Sequence, residues 1–148
     1  MLRILCLLSC MSLAGCSSSG SSAADFVGTW QIVEGTGAEN CGGTVSAIPQ
    51  TGSITIAAGT DPNTVVTTDV DGCTNTFTVS GASATASNQR CTATSVTGET
   101  IVQTTTLVLT LSGSALTRNE SQTLLEGEDG QSETCTVTAT DTLTQVAN

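Results

Sequence analysis

The chain has no histidine, no lysine and no tyrosine, and its 148 residues include only one tryptophan and two phenylalanines. Each absence closes a class of function. Nucleophile pairs of the Ser–His, Cys–His or Ser–Lys kind need a base beside the nucleophile, and no such base exists here. Three arginines against 13 acids give a formal net charge of −10, which repels phosphate backbones and argues against a nucleic-acid partner. Zinc is set aside because there is no CxxC pair and no histidine to complete a tetrahedral set. No segment keeps a helical period of useful length, and no apolar run reaches the roughly 20 residues that a bilayer-spanning helix needs.

What is present begins at the N-terminus. Arg3 precedes an apolar run from Ile4 to Ala14, and the run ends in Leu13-Ala14-Gly15-Cys16. A basic start, a short apolar centre and small residues at the end are the layout of a secretory signal. The last four residues resemble the lipobox of bacterial lipoproteins. That resemblance implies cleavage before Cys16, a diacylglyceryl thioether on its sulfur and usually a further acyl chain on the freed amine. Each buried CH₂ of such chains contributes about 0.8 kcal/mol, so several chains anchor firmly. A plain secreted product, cut near Ala14-Gly15 without lipid, is the alternative. Ser17, where an Asp would favour inner-membrane retention, points to the outer membrane in a Gram-negative host, on its periplasmic or cell-surface face. The expected organisation is a signal at 1–15, the lipidated Cys16 with a Ser/Gly tether at 16–24, and one domain at 25–148. Without Arg3, the mature chain sets Arg90 and Arg118 against all 13 acids, a net charge of −11.

The seven cysteines sort by position. Cys6 and Cys10 lie in the signal, Cys16 takes the lipid, and Cys41, Cys73, Cys91 and Cys135 remain for the domain. An even number in an exported domain reads as disulfides, with three possible pairings. A hairpin turning at Ser80-Gly81 brings residue 73 opposite about residue 88, within a small bulge of Cys91. The favoured pairing is therefore Cys73–Cys91, which leaves Cys41–Cys135.

The rest of the chain is β-rich runs broken by glycine-bearing turns. The runs are 28–33, 51–57, 64–70, 73–79, 82–86, 91–96, 100–111, 115–125 and 132–143. The first is expected to end in a turn at Glu34-Gly35-Thr36-Gly37. Leu107, Leu109 and Leu111 share one face, as do Val137, Ala139 and Leu143, with Thr134 to Thr142 alternating on the other side of the last run. One face in and one face wet, joined by short links, predicts an all-β antiparallel up-and-down meander. Closure into a small barrel of about eight strands removes the open edges.

Trp30 stands in Phe26-Val27-Gly28-Thr29-Trp30, just ahead of the first run. A Gly-x-Trp opening an eight-stranded meander resembles the lipocalin-like (calycin) barrels. The resemblance implies that Trp30 plugs the closed end against an arginine of a late strand, Arg118 by position, with Arg90 as the alternative. The domain departs from the family in its short length and in lacking the aromatic residues that line lipocalin cavities. An ordinary core anchor is the other reading of Trp30.

Little else carries chemistry. Asp69 with Asp71, and the group Glu126, Glu128, Asp129 and Glu133, fall at turns, where charges are usually solvated. Asp69-Val70-Asp71-Gly72 is only a fragment of a calcium loop and lacks its later ligands, so no metal or cofactor is assigned. The expectation is a membrane-anchored envelope lipoprotein, a non-enzymatic binding or structural module that engages a ligand or an envelope protein. The alternatives are a carrier of a small apolar ligand in the barrel interior and, ranked last, a carboxylate-based hydrolase. Small inward residues such as Ala82, Ala84 and Ala139 leave room for a cavity, whose presence separates these readings.

Overall fold

The computed structural model describes residues 21–69, 72–94, 100–128 and 131–147. Among them run a one-turn helix, α1 (Ala23–Phe26), and nine strands. The strands are β1 (Gly28–Cys41), β2 (Thr44–Ile48), β3 (Ser53–Ala58), β4 (Thr64–Thr68), β5 (Thr74–Ser80), β6 (Ser83–Thr94), β7 (Thr100–Ser112), β8 (Ala115–Glu128) and β9 (Gln131–Gln145). All pairings are antiparallel, in the order β2-β1-β3-β4-β5-β6-β7-β8-β9, and β1 also pairs with β9. Eight strands therefore close into a barrel, and β2 is an extra strand laid on β1.

β1 explains both features. One of its edges follows β9 from Trp30 to Cys41. Its other edge is shared, with Gly28–Gln31 on β3 and Gly37–Cys41 on β2. The β1–β2 link is Gly42-Gly43 with φ of 57° and 88°, and two successive positive values in a two-residue hairpin turn favour glycine. The turn expected at Glu34–Gly37 is absent; these residues continue β1. Gly35 and Gly37 are there for space. A Cβ at Gly35 would fall on Asp141 Oδ1 and the Gln50 side chain, and one at Gly37 on Gln50 Nε2.

Two runs expected as separate strands form one. β6 (Ser83–Thr94) runs through parts of both, with a bulge between Ala86 and Gln89, where Asn88 takes φ 50°. Asparagine tolerates that conformation, and its N–H donates to Thr106 Oγ1 at 3.2 Å. The preceding hairpin pairs Ser80 with Ser83, so it turns on Gly81-Ala82, one residue later than expected. The β5–β6 ladder stops at Thr78–Thr85, just before the bulge, and beyond it the Cys73–Cys91 disulfide links the two segments. The second disulfide joins Cys41 to Cys135, directly opposite on β1 and β9. Loop-closure entropy assigns about 3 kcal/mol to the shorter link and nearly 5 to the longer one.

The closed end is a packed apolar core. Phe26, Trp30, Ile56, Val65, Phe77, Leu109, Leu116 and Leu143 are all 1% exposed or less. α1 caps this end, with Ser22 N–H and Oγ–H donating to Asp25 Oδ2 at 2.7 and 3.1 Å. The indole Nε1–H of Trp30 donates to Phe26 O at 2.8 Å, so its one polar atom is satisfied inside the core. Ala23 packs against the same cluster, so the last two residues of the expected tether belong to the folded cap. Cys16, with the signal and the tether up to Gly20, lies outside the described residues.

Candidate functional site

The inward-facing positions change character along the strands. On β8 they read Leu116, Arg118, Glu120 and Gln122, and on β9 they read Leu143, Asp141, Ala139 and Val137. Leucine meets leucine at the closed end. One position higher, Arg118 meets Asp141, and β7 contributes Leu109, Leu107 and Thr105 at successive levels.

Two hydrogen-bonded groups line this upper half. In the first, Arg118 Nε–H donates to Asp141 Oδ2 at 2.7 Å, and Nη2–H reaches the same oxygen and Gln50 Oε1 at 3.1 Å. Arg118 Nη1 lies 3.8 Å from Glu120 Oε2. Asp141 Oδ1 is buried without a hydrogen-bond partner among the described residues, against the space that Gly35 leaves open. In the second group, Gln122 Nε2–H donates to Gln103 Oε1 and to Thr105 Oγ1, the latter at 3.1 Å. Gln103 Nε2–H then donates to Asp69 Oδ2 at 3.1 Å, and Asp69 Oδ1 accepts from Cys73 N–H at 2.8 Å.

Between these groups is a cavity of about 400 Å³. Ile32, Ile54, Phe77, Leu107 and Leu109 form its apolar floor, and Arg118, Glu120, Gln122, Asp69, Asn75 and Thr105 stand on its walls. Its wall includes the ends of β3 and β4, where the two strands part. Their ladder holds only Ala57–Val66 and Ala58–Val65, and both faces of the splayed ends, Thr55 and Thr67 among them, reach the cavity. The loop after β2 lies across the rim, held by Ile32 N–H and Gln31 Nε2–H, which donate to Gly52 O at 2.9 and 2.6 Å.

Glu120 is the electrostatic exception in this cup. It makes no hydrogen bond to any described residue, and its nearest cation is the Arg118 guanidinium. Burial raises its pKa above the ordinary carboxylate value. Arg118 opposes the rise, and Asp141 and Asp69 add to it.

The residues singled out in the sequence have separate fates. Cys73 pairs with Cys91 and Cys41 with Cys135. Trp30 sits at the closed end, 1% exposed. Arg118 is not placed over its ring. The register puts the Leu116–Leu143 pair between them, and the guanidinium turns to Asp141, Gln50 and Glu120 because a buried carboxylate attracts it more strongly than a ring face. Arg90 is exposed on β6. Asp71 and Asp129 lie outside the described residues, as do the side chains of Glu126 and Glu128, while Glu133 is exposed. Glu39, Cys41 and Cys135 come within 4.8 Å of one another, but both sulfurs are in a disulfide and offer no thiolate.

Sequence reasoning missed Glu120, Asp141 and Gln50. Strand parity carried a signal for the first two. Asp141 stands on the same side of β9 as Val137, Ala139 and Leu143, and Glu120 on the same side of β8 as Leu116. Nothing local marks Gln50. Comparison with protein-family models, curated proteins and solved structures found no match to the chain.

Proposed function

We propose that this chain is a non-enzymatic envelope lipoprotein, anchored through Cys16, whose calycin-like barrel binds a small ligand in the cup at its open end. The observation that carries the reading is the cavity of about 400 Å³, polar on its walls and apolar on its floor, above a filled core. Pockets of this size take compact small molecules, with a few fixed polar groups setting orientation. A purely structural barrel has no use for the cavity. Replacing buried ion pairs by well-packed apolar side chains is often neutral or stabilising by about 1–4 kcal/mol.

Two further features support binding without chemistry. The mature sequence contains no histidine or lysine to serve as a base. Asp141 is locked to Arg118 and lies off the cavity lining, so it makes no working pair with Glu120. The tether would enter at the α1 end, leaving the cup to face away from the lipid. Its ligand then arrives from water, which fits polar walls better than the fully apolar interior of a lipid carrier.

The test is thermal unfolding of the exported protein against a panel of small polar and amphiphilic solutes. A solute at 100 times its Kd stabilises by about 2.7 kcal/mol. Thr67→Trp, which places an indole on the cavity wall where β3 and β4 part, should abolish that shift while both disulfides still form. If no solute raises the wild-type Tm at millimolar concentration, the reading falls. Anchoring is tested separately: Cys16→Ser should leave the precursor uncut and unacylated, which its mass would show.

A further inference from the structure

Resting on the reading of the cup as a ligand site, we infer that its ligand is a small organic cation: an amine whose ammonium sits on Glu120 and whose apolar body lies on Phe77, Leu107 and Leu109. The charges acting on Glu120 are the Arg118 guanidinium, which favours its ionised form, and the Asp141 and Asp69 carboxylates, which oppose it. Arg118 is already engaged by Asp141 and Gln50. An anionic ligand would meet a negative field and a donor whose best directions are taken.

Glu120 is in the opposite condition. It lines the cavity, its side chain is only 18% exposed, and it accepts no hydrogen bond from the described residues. Burying a carboxylate without donors is costly, and an ammonium with its N–H groups aimed at the oxygens would compensate. The mature chain has no lysine or histidine that could do this from within. A bare divalent cation would want six to eight oxygen ligands. Glu120 offers two, and the Asp69 oxygens already accept from Gln103 and Cys73. The apolar floor adds what an inorganic ion has no use for, contact area for a hydrocarbon body. The mature net charge of −11 also draws cations towards the protein.

Binding would be linked to pH through Glu120. Its carboxyl is faced by Arg118 on β8, Asp141 on β9 and Asp69 after β4, and the β7 residue opposite, Leu107, carries no charge. An ammonium favours the ionised form, so amine affinity should rise with pH through the elevated pKa of Glu120 and then level off, with proton release on binding below that plateau.

The experiment is calorimetric titration of the full exported protein in zwitterionic nanodiscs, with empty discs as blank. The ligands are 2-phenylethylamine, 2-phenylethanol and 3-phenylpropanoate, which share a body and differ in head group, with calcium chloride as a fourth arm. The amine should bind best. Glu120→Gln should weaken it about 10- to 100-fold, the value of a hydrogen bond to a charged group, and leave the alcohol unchanged. Thr67→Lys, which supplies an internal cation without altering Glu120, should weaken the amine more than the alcohol. Equal or tighter binding of the alcohol or the carboxylate overturns this inference while the cup remains a ligand site, as does amine affinity indifferent to both variants. Calcium displacing the amine at micromolar concentration would make the site inorganic and overturn it too. If none of the four binds and no solute raises the Tm, the proposed function falls with it.

Discussion

Leu143 and Asp141 stand two residues apart on β9 and face the same interior, yet their surroundings are opposite. Around Leu143, the closed end is filled by Trp30, Phe26, Ile56 and Leu116 and leaves no buried side-chain polar atom without a partner among the described residues. Around Asp141, a guanidinium, a glutamine and a second carboxylate stand beside a cavity, and Asp141 Oδ1 has no hydrogen-bond partner among the described residues. The same strands with the same alternation support both. The lower half shows that this barrel can be packed with apolar residues, so the polar, hollow upper half is not a requirement of the fold. Stability resides in one region and ligand recognition, in our reading, in the other.

That contrast can be broken from the stable side first. Trp30→Ala removes the largest buried side chain of the closed end, and such truncations cost about 3–5 kcal/mol, a large share of a small domain's stability. Chemical denaturation with both disulfides intact should show a loss of that size. A loss below about 1 kcal/mol would mean that the closed end is not the stabilising region.

The polar side is tested by removing it two ways. Asp141→Ala alone strands the Arg118 charge, and breaking a buried pair in this way typically costs about 3–5 kcal/mol, at the lower end here because the guanidinium keeps Gln50 and Glu120. Replacing both partners, Arg118→Met with Asp141→Leu, should recover most of that loss. If the double variant is no more stable than Asp141→Ala, the upper half is contributing stability and the contrast between the halves is wrong.

The smallest effect concerns Glu120. Because its pKa is raised by burial, the folded state holds the proton more tightly than the unfolded chain does. Stability is then fully present below the ordinary carboxylate pKa and declines as pH rises through the elevated one. In the ligand-free protein, Glu120→Gln should therefore flatten the fall in stability between pH 4 and pH 7. An unchanged or steeper fall in urea-melt midpoints would show that Glu120 is not held in an unfavourable site.

How much was legible depended on the range of the interactions. Alternation at period two marks a strand from within itself, so the meander, the inward leucines of β7 and the solvated threonines of β9 could be read directly. The cysteine pairing was also readable, because a hairpin brought two candidates close and left one choice for the rest. Gly35 and Gly37 were misread for a physical reason. A glycine needed for a turn and one needed for another segment's approach look alike in sequence, and here Gln50 and Asp141 occupy the space. β2 was missed because it is only five residues long, and the alternation of Thr44-Val45-Ser46-Ala47 marks no buried face, all four being exposed.

By itself, then, the sequence determined the all-β class, the closed meander, the two disulfides and the inward apolar faces of β7 and β9, since each follows from local periodicity or from counting, whereas Ala82, expected inward, is exposed in a turn. Only the tertiary structure decided which inward charges meet and where the interior stays empty. Arg118 finds Asp141 at a separation of 23 residues and Gln50 at 68. The cavity is lined in part by the ends of β3 and β4, which part after two residue pairs. Those are properties of the ring as a whole: its diameter, its register and the crossing of one loop. No window of neighbouring residues contains them.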